Sequence, residues 1–224
     1  MFETMLVRDG RIQSARRHLD RLAHSIGALY GMGLAADTHE RLLAEAAPLA
    51  GEHRLRVDAV PGKDASITTV PVAAGTRQPV VLEPFVVPGG LGPHKWRDRR
   101  LLDIATRYRG AISGHEPGPL LVDADGTVLE AAWGNIWLLE DDRLITPPTD
   151  GRILPGVTRA VLLELAPSLG LHPREEPISL HRAQAAPCAF ATSAIRLAVP
   201  ATLRGSAAAP TALVGRIRTA LGAH

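Results

Sequence analysis

A break at residues 73–79 divides the sequence into two stretches, and we expect each stretch to fold as its own domain. The segment Ala-Ala-Gly-Thr-Arg-Gln-Pro has no hydrophobic periodicity, and it places glycine and proline directly before a new apolar run at Val80. Domain boundaries commonly fall in short segments of this composition. We therefore predict a small N-terminal domain over residues 1–74, a linker over 75–79 and a larger C-terminal domain over 80–224.

Both stretches mix strand and helix patterns, which predicts the α/β (α+β) fold class. In the N-terminal stretch the pattern predicts a strand up to the Asp9-Gly10 turn, a helix ending near Gly31, a helix from an Asp37 cap to about Leu49, and strands at 54–60 and 66–72. In the C-terminal stretch it predicts a strand from Val80, a helix over 97–109, strands within 120–144, a helix over 157–169, a strand at 188–192 and a last helix over 210–221. The apolar residues Leu101, Leu102, Ile104 and Ala105 are predicted to share one side of their helix.

The composition argues against several classes of protein. Hydrophobic residues make up 46% of the 224 residues, enough for ordinary globular cores. The formal net charge is only +2, so the pI of about 9.1 reflects a small arginine excess and predicts no nucleic-acid partner. The single cysteine, Cys188, allows no internal disulfide and is predicted to be a buried thiol. Without a signal-peptide layout or an apolar run near the roughly 20 residues of a membrane span, we expect a cytoplasmic protein without membrane contact. No metal site is predicted.

Lysine is almost absent, which makes Lys95 the residue to explain. The chain has two lysines, Lys63 and Lys95, against 23 arginines. Arginine supplies positive charge but stays protonated, whereas a lysine amine can be tuned to form an imine with a carbonyl group. The adjacent Trp96 could shield this amine from water. Taken alone, a lysine in so basic a stretch is more often a surface charge.

Glu130 and Asn135 form a second candidate pair, in the segment Glu-Ala-Ala-Trp-Gly-Asn. Glu130 follows a short apolar strand pattern, where an unpaired carboxylate would be costly, so a cationic partner is expected. A protonated pyridine nitrogen would be such a partner. The alternatives are a strand-edge glutamate paired with an arginine, and an asparagine that only ties down the turn at Gly134.

Three places could supply donors to a phosphate group. Gly156-Val157-Thr158-Arg159 lies at the start of a predicted helix, where backbone N–H groups and the Thr158 hydroxyl can bind an anion. The pair Thr192-Ser193 leaves a predicted strand, and Arg21 projects from the first helix. The helix start and Arg21 each have an ordinary alternative, because Pro-Gly before a helix is common turn chemistry and a helix arginine is more often solvated.

Together these residues resemble the fold-type IV pyridoxal phosphate enzymes, which include branched-chain and D-amino-acid aminotransferases and aminodeoxychorismate lyase. The resemblance runs nearly end to end and rests on Phe2-Glu-Thr4, His18-Leu-Asp-Arg-Leu-Ala-His-Ser25, Lys95 with Asp98-Arg99, Glu130 to Asn135, Ile153-Leu-Pro-Gly-Val-Thr-Arg159, and Thr192-Ser193. Family members commonly carry strand material before the Phe-Glu-Thr strand. Lyase-like members often carry an asparagine near Thr192-Ser193 that is not evident here.

The resemblance implies a role for each candidate residue. Lys95 would form the imine with pyridoxal 5'-phosphate, Glu130 would partner the pyridine nitrogen, and Lys95 or Thr4 would assist protonation. The implied phosphate and cofactor contacts are Arg21, Asn135, Val157, Thr158, Thr192 and Ser193. The resemblance also implies two domains, the larger one a pseudo-barrel, with the site between them, and a homodimer acting on a small amino-acid-type substrate.

The opening Phe2-Glu-Thr4 and the segment Lys95-Trp-Arg-Asp-Arg are most similar to short aminodeoxychorismate lyase-like proteins of folate biosynthesis. We therefore predict a lyase that releases pyruvate and 4-aminobenzoate. The first alternative is a class IV aminotransferase for a branched-chain or D-amino acid, which differs in where one proton is delivered. The second is a non-catalytic binding or assembly partner that keeps the fold.

Overall fold

The computed structural model describes residues 1–113, 118–203 and 211–223. The chain separates into two compact units. The first contains Met1–Thr76 and His94–Arg97, and the second contains Arg77–Pro93 and Asp98–Ala223. The division falls inside the segment predicted as a linker, and the short stretch that carries Lys95 is grouped with the first unit.

The first unit is a four-stranded antiparallel sheet with two helices. Its elements are β1 (Phe2–Arg8), β2 (Arg11–Ile12), α1 (Ala15–Tyr30), α2 (Thr38–Ala46), β3 (Glu52–Asp58) and β4 (Ser66–Pro71). The strand order is β2-β1-β3-β4, and β1 pairs with β3 along its whole length, from Phe2 opposite Asp58 to Arg8 opposite Glu52. This pairing places β1 in the interior of the sheet.

The core of the first unit explains the pattern of β1. Side chains alternate between the two faces of a strand, so Glu3, Met5 and Val7 share one face. Met5 and Val7 are fully buried in one cluster with Leu22 and Ile26 of α1. Glu3 therefore lies on a face that is otherwise apolar, and this is the starting point for the site described below.

The second unit is built on a nine-stranded mixed sheet. Its strands are β5 (Val80–Val86), β6 (Gly118–Val122), β7 (Thr127–Ala131), β8 (Asn135–Glu140), β9 (Arg143–Thr146), β10 (His172–Glu175), β11 (Ile178–Ser179), β12 (Cys188–Ser193) and β13 (Leu197–Leu203). Its helices are α3 (Arg100–Ser113), α4 (Val157–Leu165), α5 (Leu180–Ala185) and α6 (Thr211–Gly222), with a 3-10 turn over Ala166–Leu169.

The sheet of the second unit curls back toward itself. Its order is β10-β9-β8-β12-β13-β5-β6-β7-β11, so β7 and β8 lie near opposite ends. These two strands are nevertheless consecutive in the chain, and Ala131 and Gly134 form a bridge across the tight turn that joins them. The turn draws the two flanks together in the manner of a barrel, and the prediction of an α/β fold with a pseudo-barrel unit is confirmed.

Several details of the sequence prediction were wrong. In α3, Leu102 and Ala105 are buried, but Leu101 and Ile104 are 45% and 60% exposed. Each residue of an α-helix is rotated by about 100° from the one before it. Leu101 and Ile104 each precede a buried residue by one position, so they point away from the buried face of the helix. The helix predicted over 157–169 ends at Leu165 and continues only as a 3-10 turn.

Further predictions concerned the Asp37 cap, the Cys188 thiol, membrane-spanning helices and the start of the last helix. Asp37 precedes α2 as predicted, but its side chain makes no capping hydrogen bond. The prediction of a buried Cys188 is confirmed, and burial raises the pKa of its thiol to about 11. Within the described residues, no helix combines the length and apolar character needed to cross a bilayer. Pro210, the predicted start of the last helix, lies outside the described residues.

Candidate active site

Lys95 is tied to the first residues of β1. Its backbone carbonyl accepts a hydrogen bond from the N–H of Phe2 at 3.2 Å, and its Nζ lies 4.9 Å from the centroid of the Phe2 ring. Burial of the Phe2 ring fixes this end of the strand, so the contact limits where the Lys95 amine can lie. The neighbouring Trp96 is 40% exposed, and its ring meets the His94 ring edge to face with the centroids 5.9 Å apart.

Glu3 lies at the centre of a buried polar cluster with His18 and Arg21. Arg21 donates from Nε and Nη2 to the two carboxylate oxygens, each at 2.7 Å, and His18 Nδ1 lies 2.8 Å from Oε2. His18 and Arg21 are three residues apart, so both project from one side of α1 onto β1. Glu3 is 1% exposed and His18 is 3% exposed, so water does not compete for these bonds.

The charges of this cluster follow from its contacts. Burial by itself raises the pKa of Glu3, but the Arg21 charge and the hydrogen bonds from His18 and Arg21 outweigh it, so the pKa falls to about 2. Burial lowers the pKa of His18 despite the opposing effect of Glu3, so His18 is neutral at pH 7. An ionised carboxylate only accepts hydrogen bonds, so the His18 proton lies on Nδ1.

Glu3 should make the fold sensitive to acid. Its folded pKa of about 2 lies below the ordinary value of 4.5, so its stabilising effect is complete above pH 4.5 and is lost as the pH falls toward 2. That effect is on the order of 3 kcal/mol. We expect urea denaturation to show this decline in the free energy of unfolding, and a smaller decline in Glu3→Gln. The same pH dependence in both proteins would contradict the assignment.

Thr4 and Arg56 occupy the opposite face of the same sheet. Thr4 on β1 is half-buried and pairs directly with Arg56 on β3. Arg56 donates to both oxygens of Asp58, at 2.6 and 2.7 Å, and stacks on the Phe2 ring at 4.0 Å. Arg56 is thus paired with Asp58 and lies against the Phe2 ring.

In the second unit, Glu130 and Asn135 hold the same backbone residue. Glu130 Oε1 accepts the N–H of Leu154 at 3.3 Å, while Asn135 Nδ2 donates to the carbonyl of Leu154 at 3.0 Å. Glu130 is 7% exposed and Asn135 is 4% exposed. Asn135 therefore does more than tie down the turn at Gly134, because it and Glu130 together fix the segment that leads into α4.

The start of α4 has the features of an anion site. Gly156 precedes the helix in an extended conformation and provides no side-chain cap, and helix geometry directs the N–H groups of the first turn outward. A Cβ at Gly156 would lie 1.9 Å from Asn135 Oδ1, so only glycine permits this approach. Val157 is buried and the side chain of Thr158 is half-buried. The predicted phosphate donors thus lie at a helix start fixed by Asn135.

Gly156→Ala should displace this helix start. The close contact cannot be relieved by a flexible side-chain end alone, because Asn135 is itself held by Leu154, and we expect a loss of about 2 kcal/mol, or roughly 4–8 °C in Tm. Gly215→Ala in α6 is the matched control, since a Cβ there meets nothing within 4 Å and alanine favours a helix. Thermal melts that rank the two variants in the opposite order would contradict this account.

Thr192 and Ser193 end β12 beside β8. Thr192 pairs with Asn135 across the strands, and its Oγ1 accepts a hydrogen bond from Trp137 Nε1 at 2.9 Å. Ser193 Oγ accepts the N–H of Arg196 at 3.4 Å. The second unit therefore brings together Glu130, Asn135, Val157, Thr158, Thr192 and Ser193 through β7, β8, β12 and the start of α4.

The residues present fit pyridoxal phosphate. The second unit offers a buried carboxylate for a pyridine nitrogen and an uncapped helix start for a phosphate. The first unit offers Lys95 as the amine and Arg21 as a cation. The chemistry of this donor set matches what the cofactor needs.

Sequence reasoning missed two members of the site region, Glu3 and His18. A signal was present, because Glu3 interrupts an apolar strand face, and His18 and Arg21 stand three apart on a helix that follows. A carboxylate on such a face requires a partner. The spacing could have identified the helix that supplies it.

The fold and these residues define a pyridoxal phosphate-dependent enzyme class. The profile of the family described as amino-transferase class IV matches residues 1–203, and the chain belongs to this family. Pyridoxal phosphate is the cofactor of this family, as the sequence predicted.

Individual relatives agree with this assignment. A provisionally named branched-chain-amino-acid aminotransferase of Methanocaldococcus jannaschii is 38% identical over 100 residues, which cover 45% of this chain and 33% of that protein. A hypothetical aminotransferase from Mycobacterium tuberculosis, in its PLP-bound form, has a TM-score of 0.87 at 23% identity, covering 100% of this chain and 87% of the other. A provisionally named 4-amino-4-deoxychorismate lyase from Legionella pneumophila has a TM-score of 0.84 at 21% identity, covering 100% and 90%.

The sequence matches and the structural matches cover different shares of the aligned proteins. The aligned segments span 21% to 33% of the length of the first curated relatives. The structural similarities span nearly the whole chain, but at identities below 25% they establish the fold alone. The family and the fold follow from these findings.

Proposed function

We propose that the protein is a pyridoxal phosphate-dependent enzyme that acts on the amino group of a small amino-acid-type substrate, with Lys95 as its catalytic amine. The observation that carries this proposal is the arrangement of Glu130 and Asn135 on Leu154, at 3.3 and 3.0 Å, beside the glycine that begins α4. Glu130 is 7% exposed and accepts the N–H of Leu154, in the segment that leads to a candidate phosphate site.

When bound, the cofactor supplies an electron sink for the charge that develops at the substrate Cα. The proposed task of Glu130 is to hold the proton on the pyridine nitrogen. Lys95 is the group that removes and returns a proton at the substrate, with Thr4 assisting the return. Arg21, Val157, Thr158 and Thr192 are the proposed phosphate contacts, and Asn135 and Ser193 are proposed to support them.

The first candidate reaction is cleavage of 4-amino-4-deoxychorismate to pyruvate and 4-aminobenzoate. It is supported by the resemblance of Phe2-Glu-Thr4 and of the segment after Lys95 to short lyase-like proteins. It is also supported by the Legionella pneumophila structure, which this chain covers to 90% of its length. In this reaction, proton delivery accompanies release of pyruvate and needs no second substrate.

Transamination is the second candidate, and a specific observation favours it. The match to the Methanocaldococcus jannaschii protein reaches 38% identity over 100 residues. In this reaction the same residues would remove the Cα proton and would return a proton at a different atom, and a keto acid would accept the amine. The two candidates therefore share every proposed residue and differ in the destination of one proton.

One experiment separates them. Purified protein is supplied with pyridoxal phosphate and either 4-amino-4-deoxychorismate or a branched-chain amino acid, and pyruvate release and amino-acid turnover are measured with and without 2-oxoglutarate. Pyruvate release that does not depend on the keto acid supports the lyase. Amino-acid turnover that requires the keto acid supports the transaminase. Folded protein that binds no cofactor would overturn both and favour a non-catalytic partner.

The proposal includes a homodimer, as the family resemblance implies. Light scattering coupled to size-exclusion chromatography, with and without pyridoxal phosphate, measures the mass in solution. A mass of two chains is expected in both states. A single-chain mass in both states would contradict this part of the proposal.

A further inference from the structure

The cluster of Glu3, His18 and Arg21 places three polar side chains in a buried and otherwise apolar part of the first unit. Glu3 engages Arg21 side-on, through Nε and Nη2 at 2.7 Å each, and holds His18 at 2.8 Å on the second oxygen. The Arg21 side chain is 11% exposed. His18 and Arg21 of α1 thus meet Glu3 on a strand face that otherwise carries Met5 and Val7 of the core.

The side-on ion pair between Arg21 and Glu3 fixes the geometry of the arginine as well as balancing its charge. The guanidinium group is planar, so two bonds to one carboxylate set both the position and the plane of the Arg21 head group. A long arginine side chain otherwise loses considerable rotamer freedom when it binds an anion, and an arginine held in advance loses less.

His18 secures the same carboxylate from a second direction. Its Nδ1–H donates to Glu3 Oε2, the oxygen that also accepts from Arg21 Nη2. His18 and Arg21 both project from α1, so the carboxylate cannot swing toward one partner without losing the other. The cluster therefore holds Glu3 in one orientation, and Glu3 holds Arg21.

We propose that Glu3 is a positioning residue for a phosphate monoester group, acting through Arg21, with His18 fixing the orientation of the Glu3 carboxylate. This inference rests on the proposed function, in which Arg21 contacts the cofactor phosphate. It assigns a role to Glu3 and His18 that goes beyond a buried structural ion pair. A purely structural pair would affect stability but would not distinguish ligands with and without a phosphate.

The test compares two ligands that differ only in that group. Apoprotein is titrated with pyridoxal phosphate and with pyridoxal, and dissociation constants are read from the visible absorbance. The proteins are wild type, Glu3→Gln, Glu3→Asp and the control Glu52→Gln. Glu52 is a matched control because it lies on β3 of the same sheet and pairs with an arginine, Arg8, at 2.6 Å. Thermal melts establish that each variant is folded.

The expected result is a selective loss. Glu3→Gln should reduce the preference for pyridoxal phosphate over pyridoxal at least about tenfold, and Glu52→Gln should leave it within about twofold of wild type. If Glu3→Gln does not fold, Glu3→Asp carries the test, since it keeps the charge but cannot reach both partners at the same distance, and a loss of at least about threefold is expected. In an Arg21→Gln background, Glu3→Gln should add no further loss of preference.

Two results would overturn the inference. One is an unchanged preference in a folded Glu3 variant, whether both affinities stay the same or both fall equally. The other is a further loss of preference from Glu3→Gln when Arg21 is already replaced. Failure of the wild type to bind pyridoxal phosphate is a different outcome, because it would overturn the proposed function itself.

Discussion

Lys95→Arg should abolish turnover while leaving the protein folded. Arginine keeps the positive charge and can keep the contact with the Phe2 ring, which Lys95 Nζ approaches to 4.9 Å. It cannot lose its proton at neutral pH and so cannot serve as the catalytic amine. We expect kcat to fall by at least about 1000-fold, and the visible absorbance of the protein-bound cofactor to be lost.

The scarcity of lysine provides the control for this substitution. Lys63 is the other lysine of the chain, and it lies exposed in the turn between β3 and β4. Lys63→Arg should leave kcat and the spectrum within about twofold of wild type, as expected for a surface substitution. Equal effects of the two substitutions, or full activity in Lys95→Arg, would show that Lys95 is not the catalytic amine.

Glu130→Gln should reduce kcat by at least about 100-fold, because a neutral amide cannot hold the pyridine nitrogen in its protonated form. The amide oxygen of glutamine can still accept the Leu154 N–H that Glu130 Oε1 accepts at 3.3 Å. The path of the chain into α4 should therefore survive, and cofactor affinity should change by less than about tenfold. Steady-state kinetics and cofactor titration measure the two effects separately.

Glu140→Gln is the matched control for this substitution. Glu140 lies at the end of β8 and pairs with Arg182 through two bonds, at 2.8 and 2.9 Å, so the same change removes an ion pair away from Glu130. Its kcat should stay within about twofold of wild type. A Glu130→Gln enzyme with near-normal kcat would contradict the proposed role of Glu130. A large loss of cofactor affinity without a loss of kcat would indicate that Glu130 has a structural role instead.

Much of the fold could be predicted because the local sequence patterns favour the same helices, strands and turns that the folded chain adopts. The strands from β6 to β9 carry clear turn residues between apolar runs, and α1 ends at Gly31 in a left-handed conformation, as a glycine after a helix predicts. β13 was not predicted, because Pro200 argues against a strand at this position. Pairing with β12 and β5 overrides this signal.

The site was predictable only in part, for a related reason. Motif spacing identified Glu130 and the start of α4, since each lies at the end of a recognisable element. It did not show that Glu130 and Asn135 meet at Leu154, because that contact joins residues 24 and 19 positions apart through the fold of the sheet. The cluster around Glu3 is equally non-local, with partners 15 and 18 residues away on α1.

The central claim is that Lys95 is the residue through which the cofactor is held. Reduction of the pyridoxal phosphate-loaded protein with borohydride, followed by protease digestion and mass spectrometry, tests this most directly. We expect one stoichiometric cofactor label, on the peptide that contains Lys95, and no such label in Lys95→Arg. A label on Lys63 or the N-terminal amine in place of Lys95, or no stable label in protein that is folded and loaded, would contradict it.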